Sequence, residues 1–185
     1  MKRRLFSILL ALCMTLAMLP AAAFAGESSY DSDITIKYSG WKFTGNETVC
    51  YYIPTTNGKF SVNQPDSGPY LKVTKTGENE ITITVHGNVN ISVNKRDTIK
   101  SIKNLIIAGA ADGKNTLSLS TTTDGTAISV LGDLTITSIA LTATAGNGHA
   151  LRANNITVSD ATLIATNNSA DNAAIQATQG DGPLG

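Results

Sequence analysis

Apolar and polar residues alternate along most of the chain beyond residue 80. In Ile139-Ala140-Leu141-Thr142-Ala143, the residues Ile139, Leu141 and Ala143 point one way, while Ala140 and Thr142 point the other. A period of two places one face in a core and the other in water, so these runs read as half-buried strands. Three short strands recur in a fixed order. The first is Ile81-Thr82-Ile83, Leu105-Ile106-Ile107, Leu134-Thr135-Ile136 and Ile156-Thr157-Val158. The second centres on Ile91, Leu119, Leu141 and Leu163. The third is weak near Ile99, then clear at Ile128, Leu151 and Ile175. The spacing is 24 residues from Ile83 to Ile107 and 22 from Ile136 to Val158. Leu119 to Leu141 and Leu141 to Leu163 are each 22. Ile107 to Ile136 is 29, and the loop from Ala108 to Asn115, rich in Gly, Ala and Asp, takes the surplus.

So even a period does not suit hairpins, whose strands meet through tight turns. It suits a solenoid, in which each coil stacks on the last at about 4.8 Å and like residues stack on like. The expected fold is all-β: a right-handed parallel β-helix of about four coils of 22–29 residues, with a small N-terminal β cap. Ile83, Ile107, Ile136 and Val158 should form one interior column. Asn104, Asp133 and Asn155 each stand before the first strand of a coil and should stack at one corner, since Asn and Asp tolerate left-handed backbone and bond their own chain. Gly125, Gly132, Gly146 and Gly148 mark other corners.

The units Leu134-Thr135-Ile136…Leu141-Thr142-Ala143-Thr144…His149-Ala150-Leu151 and Ile156-Thr157-Val158…Leu163-Ile164-Ala165-Thr166…Ala174-Ile175-Gln176-Ala177 resemble the repeats of secreted bacterial right-handed parallel β-helix proteins. That group is similar in fold to pectate lyases and often carries carbohydrate-binding domains. The resemblance covers roughly residues 81–180 by repeat period. It implies a fold, and it leaves the ligand open.

Composition breaks near residue 80. The aromatics beyond the leader run from Tyr30 to Tyr70, and none occurs from Leu71 to Gly185. Residues 26–80 therefore read as an N-terminal β cap region, 81–180 as the repeat and 181–185 as a tail expected to be truncated from a longer chain or array. Strands are expected at Ile34 to Tyr38, Val49 to Ile53, Lys59 to Val62 and Tyr70 to Val73, with Asn57-Gly58 as a turn. No run has helical periodicity with helix-forming residues.

The start of the chain reads as an address. Lys2, Arg3 and Arg4 precede an apolar run from Leu5 to Leu19, Pro20 ends it, and Ala23-Phe24-Ala25 offers a cleavage site. Residues 1–25 are thus expected to be a removable signal peptide. The product is expected to be secreted, extracellular or held at the cell surface, with no membrane contact after cleavage. Fourteen basic and fourteen acidic residues balance, which argues against nucleic acid as a partner. Cys13 lies in the leader, so Cys50 is left without an internal disulfide partner and should pack among Val49 and Tyr51.

Candidate chemistry is sparse. Asp112, Asp124, Asp160 and Asp171 sit in turn-like sequence, and Asp133 is not placed level with Asp160, so no catalytic carboxylate ladder is expected. His86 precedes Gly87-Asn88 and reads as a turn residue; His149 reads as a half-buried corner residue level with Thr126 and Ala173. Neither has metal spacing, and no cofactor is implied. Lys95, Arg96, Lys100 and Lys103 read as a solvated face, and Arg152 as outward. The first strand's outward face is threonine-rich at Thr82, Thr84, Thr135, Thr137, Thr157 and Ser159; flat Thr arrays can hold ordered surfaces such as ice, but Ile106 and Ala108 interrupt this one. Trp41, Tyr51, Tyr52 and Tyr70 are the candidate sugar platforms, because aromatic faces stack on pyranose C–H groups. The competing role for the same rings is the core of the cap.

The leading expectation is a non-catalytic extracellular solenoid used for adhesion or for binding polysaccharide or glycan. A fragment of a β-helix polysaccharide lyase or glycosidase and a structural stalk of a larger surface protein are the alternatives. The repeat stops at Ala177 without a polar cover, so self-association through the C-terminal coil edge is also expected.

Overall fold

The computed structural model describes residues 32–55, 58–111 and 113–178. Residues 1–31, 56–57, 112 and 179–185 lie outside the described residues, and with them the expected signal peptide, the expected tail, Asn57 and Asp112. The described residues form strands and turns without a helix.

Four coils repeat three strands. The first coil has β6 (Glu80–His86), β7 (Asn88–Val93) and β8 (Ile99–Ser101). The second has β9 (Asn104–Gly109), β10 (Thr116–Thr121) and β11 (Ile128–Val130). The third has β12 (Leu134–Thr137), β13 (Ala140–Ala145) and β14 (Leu151–Ala153), and the fourth β15 (Ile156–Ser159), β16 (Thr162–Asn167) and β17 (Ile175–Ala177). Equivalent strands pair in parallel from coil to coil, giving three sheets. The chain is a parallel β-helix, as its period implies.

Ahead of the coils stand β1 (Ile34–Ile36), β2 (Ser39–Trp41), β3 (Val49–Ile53), β4 (Lys59–Ser61) and β5 (Tyr70–Gly77). They extend two of the sheets with antiparallel pairing. β5 runs antiparallel to β6, with β3 and β4 beyond it. β1 runs antiparallel to β8, with β2 beyond it. The cap is thus built onto the solenoid's own sheets, and Asp33 ties it down. This nearly buried carboxylate accepts from the Phe43 N–H at 2.9 Å and meets Lys103 Nζ at 3.4 Å. The expected strand to Tyr38 stops at Ile36, because Lys37 turns at φ 57° to start the β1–β2 hairpin. β5 runs four residues past the expected Val73, held by its pairing with β6.

The interior follows the alternation. Ile83, Ile107 and Ile136 stack in register and are fully buried; Val158 continues the column, 43% exposed in the last coil. One register differs from the expected one. Leu141 pairs with Leu117, and Leu119 pairs with Ala143. The slip is two residues, so each side chain keeps its face. The surplus residues of the second coil do lie between β9 and β10, where Asn115 fixes the loop. Its buried side chain accepts from Gly87 N–H at 2.7 Å and donates to the Ala110 carbonyl at 2.8 Å.

Asn104, Asp133 and Asn155 do stack at one corner, but for another reason than left-handed backbone. Their side chains bond from coil to coil: Asp133 N–H donates to Asn104 Oδ1 at 3.0 Å, and Asn155 Nδ2 donates to Asp133 Oδ1 at 2.8 Å. Among the described residues, the non-glycines with left-handed backbone are Lys37 in the β1–β2 hairpin and Lys95, Ser138 and Asp160 in the coils. Ser138 and Asp160 follow the paired residues Thr137 and Ser159, so they share the bend between the first and second sheets.

Candidate functional site

The four aromatic candidates do not form one platform. Tyr52 is fully buried on the inward face of β3, with its ring against Phe60 at 5.3 Å, so it has no face to offer a ligand. Trp41 packs on Phe60 at 5.6 Å, and its Nε1–H is buried without a partner among the described residues. Tyr70 is 9% exposed and stacks on His86 at 4.4 Å and 15°, while Gln64 Nε2 donates to its hydroxyl at 3.1 Å. Tyr51 meets the edge of Tyr70 at 5.8 Å and is half-buried on the outward face of β3. His86, expected in a turn, instead ends β6 and serves this stack.

Cys50 and Tyr52 share the inward face of β3 and are both fully buried. Burial, and to a lesser degree the nearby Glu47 charge, pushes the Cys50 thiol from 9.0 up to about 12. Burial pushes the Tyr52 phenol from 10.0 up to about 12. Both groups stay neutral in the folded chain at pH values where the unfolded chain ionises them. Their contribution to stability is therefore full below pH 9 and is lost as pH rises from about 9 to about 12. Urea midpoints measured across that range should fall, and Tyr52→Phe should flatten the fall. Because the Tyr52 hydroxyl is buried without a partner among the described residues, Tyr52→Phe should also leave stability at pH 7 unchanged or higher. A loss at pH 7 would contradict this reading.

The remaining expected candidates are scattered. Lys103 pairs with Asp33, Lys100 lies on the outward side of β8, and Lys95 and Arg96 are exposed in the corner between β7 and β8, so they make no single basic face. His149 Nδ1 lies 2.7 Å from the Ala173 carbonyl of the next coil, a half-buried corner link. Among the described residues no three metal-ligating side chains gather.

What the coils do gather lies on the outside of the second sheet. β7 presents Asn88, Asn90 and Ser92; β10 presents Thr116, Ser118 and Ser120. β13 presents Ala140, Thr142 and Thr144, and β16 presents Thr162, Ile164 and Thr166. No outward position on these strands carries a charge. The first sheet presents Lys72 and Glu80, and the third Lys100 and Arg152. The hydroxyls and amides also hold each other in place across coils. Thr116 donates to Asn88 Oδ1 at 3.0 Å, Ser120 to Ser92 at 2.9 Å, and at the adjoining corner Thr122 to Asn94 Oδ1 at 2.7 Å. The result is a charge-free face of neutral donors and acceptors, interrupted by Ala140 and the exposed Ile164, with positions about 4.8 Å apart across strands and about 6.6 Å apart along them.

Beside this face runs an open groove of about 750 Å³ at the bend between the first and second sheets. Ile139 and Ala161 line it together with Ser138, Asp160, Thr116 and Thr162, and the Gly113–Asn115 part of the second-coil loop borders it. Thr116 and Thr162 belong to both groove and face, so the two form one continuous surface.

The sequence reading singled out the threonines of the first sheet and passed over this second face. Alternation does mark its residues as outward, but the ranks they form depend on the coil register. No family model, no curated protein and no solved structure matches the chain.

Proposed function

We propose that the protein is an extracellular, non-catalytic β-solenoid module that binds an uncharged polysaccharide, and that the outward face of the second sheet is its contact surface. The charge-free lattice of Asn, Ser and Thr side chains carries the reading. Sugar hydroxyls are neutral donors and acceptors, and these side chains supply both functions. Between β7 and β10, cross-coil hydrogen bonds fix rotamers before a ligand arrives, which lowers the ordering cost of binding there. A rigid, flat array suits an extended chain or the surface of a fibre. The leader, with Lys2 to Arg4 ahead of an apolar run, supports the extracellular setting. Adhesion at a cell surface is the role such a contact would serve.

The experiment is co-sedimentation with insoluble neutral polysaccharides, such as cellulose and chitin, backed by calorimetry on soluble oligosaccharides. Thr142→Lys places a charge in the middle of the lattice at a half-buried outward position. It should weaken binding about tenfold or more, the scale set by 1.4 kcal/mol, without shifting the melting temperature. Retention on no neutral polysaccharide would sink the proposal. Binding that survives Thr142→Lys while quenching Trp41 fluorescence would move the site to the cap.

A further inference from the structure

The groove beside the second sheet comes from unequal bends. Ala108, Thr137 and Ser159 are level in the first strands, and Thr116, Ala140 and Thr162 are level at the start of the second strands. Between these marks the second coil spends seven residues, 109–115, where the third and fourth spend two each, Ser138-Ile139 and Asp160-Ala161. The long loop therefore stands as a wall beside two tight bends, and the groove lies between them. The wall is held, because Asn115 bonds both Gly87 and Ala110. Lys114 precedes this anchor and lines the groove from the wall.

The tight bends keep side chains where glycine is the cheapest residue. Ser138 and Asp160 have φ of 53° and 49°. In the first coil the bend between β6 and β7 uses Gly87 at φ 74°. Left-handed backbone at residues other than glycine gathers at ligand sites. Here it sets the Ser138 hydroxyl and the Asp160 carboxylate along the groove.

The lining combines an apolar floor with one charge of each sign. Ile139, Ala140 and Ala161 supply the floor, and Lys114 and Asp160 the charges. Both charged residues are exposed, and neither forms an ion pair with a described residue. This pairing sorts sugars by their substituents. A uronate would gain Lys114 and be opposed by Asp160, and an amino sugar would meet the reverse. A plain hydroxyl can use either charge but leaves the floor uncovered. An acetamido group uses all three features. Its carbonyl accepts from the Lys114 ammonium, its N–H donates to the Asp160 carboxylate, and its methyl covers apolar surface. We propose that the groove selects, among uncharged polysaccharides, those whose sugar units carry acetamido groups. The inference rests on the second-sheet face being a polysaccharide contact, and it adds a choice that hydroxyls and amides alone do not make.

The test is calorimetry on the purified protein with three β-1,4-linked tetrasaccharides: of glucose, of N-acetylglucosamine and of glucosamine. The N-acetylglucosamine form should bind about tenfold tighter than the glucose form, the scale of one hydrogen bond to a charged group. The glucosamine form should bind more weakly than the acetylated one. Lys114→Ala and Asp160→Gly should each shrink the preference to about twofold or less while leaving the affinity for the glucose form unchanged. Asp160→Gly suits the positive φ, so the melting temperature should hold. Equal binding of the two neutral forms overturns the proposal and leaves the face reading intact. So does a preference that survives both substitutions, or tightest binding of the glucosamine form. Binding of no tetrasaccharide takes the face reading and the groove together.

Discussion

Leu141→Ala is expected to cost about 2–5 kcal/mol of folding stability. Leu141 is 1% exposed in β13 and lies in register between Leu117 of the coil before and Leu163 of the coil after. Its neighbours cannot close over the gap, because each is held by a ladder of coil-to-coil hydrogen bonds. The cavity should therefore persist, and its cost adds to the lost burial of the removed methyl and methylene groups. Leu163→Ala makes the same chemical change one coil later. Leu163 is only half-buried, in the last of the described coils. Its loss should be roughly half as large, in proportion to the area it takes from water. Urea denaturation of both variants measures the pair. Equal losses would mean that the end coil is as well packed as the third, and a Leu141 loss below about 1 kcal/mol would place Leu141 outside the core.

The interior was legible because its signal is local and repeated. Leu105, Leu134 and Ile156 announce the first strand of their coils, and alternation says which side chains point inward. Register was less legible. Period two cannot distinguish Leu119 against Leu141 from Leu117 against Leu141, since both keep every side chain on its face. The corners show a different limit. Asn104, Asp133 and Asn155 were placed correctly by their position before a strand, yet what they do is reach across coils, and no local rule contains the coil above. The packing of the aromatics was hidden for the same reason. Trp41 next to Gly40 reads as exposed until Phe60 is placed against it, and Tyr70 reads as a platform until His86 covers one face. The second-sheet lattice was hidden more deeply. Its polar members are ordinary outward Asn, Ser or Thr residues in sequence, with Ala140 and Ile164 between them, and the lattice exists only once three registers align them.

Gly125→Ala should destabilise the fold by about 1–3 kcal/mol, the usual cost of forcing extra atoms into a packed site. Gly125 does not adopt a positive φ, so the requirement for glycine there is one of space. A Cβ at this position would run into the carbonyl of Arg96 in the coil before, and a Cβ at Gly148 in the next coil would run into the carbonyl of Gly125 itself. The two glycines thus form a column where successive coils approach backbone to backbone. The chain around the contact cannot retreat cheaply. Thr98 N–H donates to the Thr126 carbonyl at 3.0 Å, and Thr126 N–H donates to Asp97 Oδ1 at 2.7 Å, so moving either coil breaks bonds beside the clash. Gly77→Ala is the matched control. Its Cβ would meet only Glu80 Cβ at 3.6 Å, an ordinary contact, and its φ is not positive. That change should stay within about 0.5 kcal/mol of the parent. Thermal and urea unfolding of the two variants decide the matter. If Gly125→Ala is as stable as Gly77→Ala, the coils at this corner are farther apart than the backbone contact requires.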